Sequence, residues 1–166
     1  MRSVSDMLLL AAPTFIGVLL LLLFAMPLES VLPFSLAPNV CFVMTLVVAT
    51  FCPPAWPRGV AFGLGLAQDV ISGTPLGAQA LLGLLLVGMV AANARRQQHQ
   101  LFRVRWMEAA GVFLALHFVL WLLVRATTGQ APSPEAMLSA GVVSGLWYPL
   151  FYVLLRPFAD ATTGAA

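Results

Sequence analysis

The apolar residues of this chain arrive in blocks of up to about twenty rather than as a 3.6-residue stripe, so its helices are not those of a soluble bundle with one wet face. Lipid is the solvent such blocks require. Hydrophobic residues make up 61% and charged residues 8%, with mean hydropathy +0.97, whereas about a quarter of a soluble domain is charged. A bilayer core takes about 20 apolar residues per helical crossing, so 166 residues with short loops make room for about six. The expected fold class is all-α: a polytopic inner-membrane bundle of six transmembrane helices, with residues 1–166 forming a single integral membrane domain.

Prolines and glycines punctuate the blocks. Span 1 covers about residues 7–26, with Ser5 or Asp6 as N-cap, a mild kink at Pro13 and a stop at Pro27. At about 20 residues it exceeds a secretory h-region, and Pro27, Leu28 and Glu29 follow it instead of a small-residue cleavage site, so it reads as a retained span. Span 2 covers about residues 36–51. The proline-rich segment Cys52 to Arg58 then turns the chain into span 3, at about 58–71. A tight turn, Ser72 to Pro75, places Thr74 as N-cap and Pro75 as the first residue of span 4, at about 75–94. Spans 5 and 6 cover about 106–124 and 135–155, separated by a Gly/Pro/Ser loop, and a small polar tail after Pro157 is expected to be disordered. Spans 2 and 3 are short, which keeps open a five-span threading in which one of them re-enters. Cys41 and Cys52 lie about 16 Å apart on one expected helix, beyond disulfide reach.

Arginines orient this threading. Arg2, Arg58, Arg95, Arg96, Arg103, Arg105 and Arg156 fall on one side and Arg125 on the other, which puts both termini in the cytoplasm. Trp56 and Trp106 lie at expected interfaces, as in an aromatic belt. The formal charge of +2 and pI near 8.9 follow from that asymmetry and do not call for a nucleic-acid partner.

Few residues offer chemistry. Asp69 lies inside a span, where a carboxylate at the helix centre costs about 2.5 kcal/mol or more on insertion scales. It sits about one turn from the end of span 3. Its carboxylate is therefore expected to accept hydrogen bonds from the N–H groups that open span 4, at Gly73 to Leu76. Contact with a partner, a polar pocket and a proton relay are the alternatives. His117, in span 5, has no His, Cys or carboxylate at i±3 or i±4, so an interhelical hydrogen bond fits better than a metal or proton carrier. Gly59 and Gly63 form a GxxxG pair in span 3, with Ala61 and Gly65 as a neighbouring row, and Gly141 and Gly145 form another in span 6. These faces pack either on another helix of this chain or on a partner. Phosphate loops, CxxC, HExxH, GxSxG and paired intramembrane carboxylates are absent, so no catalytic residue, cofactor or metal is expected.

The stretch from Gly65 to Gly77 reads G-L-x-x-D-x-x-S-G-x-P-L-G, a basic loop follows the next span, and the chain closes on W-x-P-L-F-Y-x-L-L-R-P from Trp147 to Pro157. In these features and in length it resembles the MreD family of bacterial rod shape-determining proteins. Asp69, Ser72, Gly73, Pro75, Leu76 and Gly77 match the family's core. The resemblance implies a non-enzymatic scaffold of the elongation complex, supporting peptidoglycan synthesis and cell shape. Its direct partner would be MreC, with MreB, RodA and a class B penicillin-binding transpeptidase reached indirectly and lipid around it. It also implies a six-span bundle similar to the substrate-binding subunits of energy-coupling-factor transporters. That similarity supplies the rival reading, a vitamin-like small-molecule binder, for which Gln68, Asp69, Gln79, Asn93 and His117 are the candidate pocket groups. A membrane-embedded enzyme has little to stand on.

Overall fold

The computed structural model describes residues 15–23, 38–51, 55–98, 100–129 and 133–163. Helix α1 is seen at residues 15–23, followed by α2 (Val40–Phe51), α3 (Ala55–Ser72), α4 (Ala78–Gln98), α5 (Phe102–Thr128) and α6 (Pro134–Thr163). The expected ends of span 1 with Pro13, the start of span 2 at residues 36–37, Arg2, Cys52 and His99 lie outside the described residues.

The architecture is a helical bundle built on α2. From Val40 to Val48 every residue of α2 is buried, as an all-round apolar helix must be when other helices enclose it. Helices α3, α4 and α6 pack around it, and α3–α4 and α5–α6 form two close pairs. Helix α1 lies against α2 and α3, where a Cβ on Gly17 would meet Leu64 at 3.1 Å and Met44 at 3.3 Å. Outside this core the surface is apolar: Leu81, Leu85, Phe118, Leu122, Leu146 and Leu150 are all exposed. Helices α5 and α6 are long and apolar enough to cross a membrane, yet the most apolar windows of the two are only 22% and 33% buried. The core helix of a soluble protein would be mostly buried; these two turn most of their apolar surface outward, which suits lipid.

Several boundaries move from their expected places, each for a local reason. Helix α3 begins at Ala55 rather than 58, because Pro57 falls in its first turn, where a missing N–H costs nothing. Gly73, at φ +64°, ends α3: the Thr74 N–H reaches back to the Asp69 carbonyl at 3.1 Å, a Schellman closure. Thr74 is thereby part of the α3 terminus and does not cap α4. Instead Pro75 to Gly77 turn the chain, Gly77 takes φ +92°, and its carbonyl accepts from Leu81 N–H at 2.8 Å, so α4 starts at Ala78 and not at Pro75. The basic loop shrinks to residues 99–101, since Ala94 to Gln98 are good helix formers and extend α4 while α5 already begins at Phe102. Helix α5 runs past 124 to Thr128 and is closed by Gly129 at φ +70°. Helix α6, capped by Ser133, continues through Arg156 and Pro157 to Thr163, where a disordered tail was expected.

The two small-residue rows of α3 part company. Gly65 lies against the Ala80 backbone so closely that a Cβ would overlap it, and a Cβ on Gly83 would meet Ala61 at 3.3 Å, so Ala61 and Gly65 make the α3–α4 contact. Gly59 and Gly63, two residues out of register and hence roughly 200° around the helix, meet nothing within 4 Å among the described residues. Of the two contacts left open for that face, none with a described helix of this chain forms. In α6 both glycines pack: Gly141 on Leu114 and Gly145 on Ala110, where the built Cβ would lie 3.1 Å from its neighbour.

Candidate functional site

A polar knot ties four helices together at one end of α2, with Asp69 at its centre. The side chain is fully buried. Its two carboxylate oxygens accept from the Thr74 hydroxyl at 2.6 Å, the Gly77 N–H at 2.8 Å and the Gln79 N–H at 3.1 and 3.3 Å. Two of these donors are N–H groups of the α4 terminus, which have no helical carbonyl to bond and favour a negative charge. The sequence placed the contact at Gly73 to Leu76; the extra turn before α4 moves it to Gly77 and Gln79.

Most positions of the D-x-x-S-G-x-P-L-G stretch have a task in this geometry. Gly73 supplies the left-handed residue that ends α3, and Gly77 supplies the positive φ that aims its N–H at Asp69. Pro75 keeps the helix from resuming too early, and its carbonyl accepts from Ala78 N–H at 3.0 Å. Ser72 is exposed and accepts from Gln68 Nε2 at 3.3 Å. Leu76 is 75% exposed at the tip of the turn, close in sequence to exposed Val70 and Ile71.

The knot extends beyond the hairpin through Asn39 and Ser144, which the sequence did not single out. Asn39 caps α2, accepting from Phe42 N–H at 3.2 Å, and its Nδ2 donates to Gln79 Oε1 at 2.8 Å. Gln79 Nε2 donates to the Thr74 hydroxyl at 3.3 Å. The Asn39 N–H donates to the buried Ser144 hydroxyl of α6 at 2.9 Å, and that hydroxyl donates on to the Ala140 carbonyl. An asparagine before an apolar run was a visible cap signal. Ser144, 105 residues away in the chain, was not.

His117 is held differently from expectation. Its Nδ1 bonds the Phe113 carbonyl of its own helix at 2.8 Å, one turn back, and its contact with α2 is the edge of the Phe42 ring, with centroids 5.4 Å apart. Nδ1 is thus taken up within α5, and among the described residues no interhelical hydrogen bond forms through the ring. Nε2 is buried without a partner among the described residues. Among those residues no three His, Cys, Asp or Glu side chains gather in one place. Asp69 and Gln79 meet in the knot, but Asn93 bonds the Met89 carbonyl on its own helix and His117 stands apart, so the five candidate pocket groups do not converge.

A second polar contact joins α5 to α6. Pro149, in the interior of α6, has no N–H to give the Gly145 carbonyl four residues earlier, and the Trp106 indole of α5 donates to that carbonyl at 2.8 Å. Gly145 also lets α6 come close to Ala110 of α5. Proline and glycine in the middle of a long helix are thereby turned into an interhelical bond.

The family model for the rod shape-determining protein MreD matches residues 1–158. The chain belongs to the MreD family. No curated protein and no solved structure matches it. As a MreD-family member the chain has a role in rod shape determination, and its family is one of structural membrane proteins rather than a known enzyme family. Family and apolar helices together point to the inner membrane.

Proposed function

We propose that this MreD-family chain is a non-enzymatic scaffold of the elongation machinery that crosses the inner membrane six times with both termini in the cytoplasm. It binds MreC through the outward glycine face of α3. The observation that supports this reading is the Gly59–Gly63 pair, a close-approach surface that meets nothing among the described residues. Helices in lipid associate where small residues let backbones come near, and Phe62 stands exposed beside the two glycines as an apolar contact. Through MreC the chain communicates with MreB, RodA and the class B transpeptidase, supporting peptidoglycan synthesis. A six-helix bundle like that of energy-coupling-factor binding subunits is here a framework without their ligand, since Asp69 and Gln79 spend their polar groups on the knot.

Co-purification of the tagged chain with MreC from detergent tests the reading. Gly63→Leu should reduce MreC recovery about tenfold, the equivalent of ~1.4 kcal/mol, with the chain itself unchanged in yield. Unchanged recovery would mean that the α3 glycines face lipid. Thermal stabilisation by a vitamin, with no cell-wall protein bound, would favour the small-molecule reading instead.

A further inference from the structure

We infer that the groove between α4 and α5 holds one acyl chain of an anionic phospholipid, whose headgroup phosphate is taken by Arg105. Helices α4 and α5 touch only lightly, unlike the close α3–α4 and α5–α6 pairs. Between them lies a cavity of about 500 Å³, within the roughly 300–1,000 Å³ usual for ligand sites. Leu85, Met89, Val112, Ala115, Leu116 and Val119 make its walls apolar.

Shape selects the occupant. A partner helix about 10 Å wide displaces roughly 400 Å³ per turn, so the groove would take barely one turn of it. A hydrocarbon chain is thin enough to lie along the whole groove. From Arg105 to Val119 that length is about 21 Å at 1.5 Å per residue, and one leaflet offers about 15 Å of hydrocarbon plus its headgroup layer.

Polarity selects the headgroup. Of the polar lining side chains, Asn93, Arg105 and Glu108 sit towards the α4–α5 connection, and Thr50 of α2 and Tyr148 of α6 add two hydroxyls. Arg105 is half-buried, its Nη2 donates to the Tyr152 hydroxyl at 3.3 Å, and its guanidinium lies 5.4 Å from the Tyr152 ring centre. Its Nε–H is buried and meets no acceptor among the described residues. Arg105 is the cationic side chain on the groove wall, and a phosphate supplies the anionic oxygen that suits its guanidinium. Arg103 in the first turn of α5 adds positive charge at this end. Against the two arginines stands Glu108, whose carboxylate accepts from Gln100 Nε2 at 3.1 Å. The balance is basic, as in pockets between transmembrane helices that hold anionic headgroups.

The inference goes beyond the MreC reading and does not depend on it. Native mass spectrometry of the delipidated full-length chain, titrated with dioleoylphosphatidylglycerol, dioleoylphosphatidylcholine or glycerol phosphate, tests it. Phosphatidylglycerol should bind at about fivefold lower concentration than phosphatidylcholine, and glycerol phosphate should not bind. Arg105→Gln should erase the difference between the lipids. Gly111→Phe should abolish both adducts, because Gly111 lines the groove and a Cβ there meets nothing within 4 Å. Ala115→Leu, a smaller intrusion on the same wall, should weaken both if the phenylalanine variant fails to fold. Equal affinity for the two lipids, a preference that survives Arg105→Gln, or lipid binding undiminished by the groove-filling variants would overturn it. So would loss of MreC recovery in Gly111→Phe with lipid adducts intact, which would make the groove a helix site. Arg105→Gln should leave MreC recovery unchanged, so the two readings fail separately.

Discussion

Asp69 is buried without being unsatisfied, and its neighbours determine what a substitution there will do. Asparagine keeps one acceptor oxygen for the Gly77 and Gln79 N–H groups, whereas leucine leaves both donors unpaired at about 1–3 kcal/mol each. Thermal unfolding in detergent should therefore rank wild type above Asp69→Asn and Asp69→Asn well above Asp69→Leu; equal loss in the two variants would point to charge in place of hydrogen bonding. Gly77→Ala should cost about 1–2 kcal/mol by the same measurement, because alanine resists φ +92°. Asp69 was legible in the sequence because a carboxylate inside a span demands an explanation, whereas Asn39 was passed over although an asparagine before an apolar run can cap a helix. Their meeting through Gln79 was not legible, since a side-chain contact across 40 residues exists only once three helices are in place.

Among the elements, α3 shows how a glycine-rich helix divides its labour. The row through Ala61 and Gly65 builds the hairpin with α4, and the row through Gly59 and Gly63 is left over. Gly65→Ala should destabilise the bundle, since its Cβ would overlap the Ala80 backbone. Gly59→Ala should be tolerated or stabilise by about 0.5–1 kcal/mol through helix propensity. Paired melting curves of these variants check the division. From the sequence both rows looked alike, because small-residue spacing is satisfied by either and the choice depends on how far α3 rotates against α4. Prolines misled in a similar way. Pro57 read as a breaker because its place in the first turn was not known, and Pro149 gave no hint that Trp106 would replace its missing N–H. Trp106→Phe should leave the Gly145 carbonyl unpaired and cost about 1–3 kcal/mol, whereas Trp121→Phe, which lies under Arg125 with 5.3 Å to the ring centre, should cost less.

For the whole molecule, the long apolar blocks announced a helical bundle with a greasy exterior, and that much needed no coordinates. What they left open was which helix stands at the centre: α2, at 12 residues, measures about 18 Å and is nonetheless the most enclosed. Topology is open to a direct check. With Cys52 replaced by serine, and Cys41 buried in α2, a cysteine introduced at Gln100 should react with thiol reagents only from the cytoplasm, and one at Gly129 only from outside. The reverse pattern would invert the threading. On the six-span threading proposed above, the way Asp69 is hydrogen-bonded bears on how the chain enters the bilayer during synthesis. All of its partners lie within the next ten residues, so a nascent helical hairpin leaving the insertion channel carries its own remedy for the charge. The later helices then arrive at a hairpin that already tolerates the membrane.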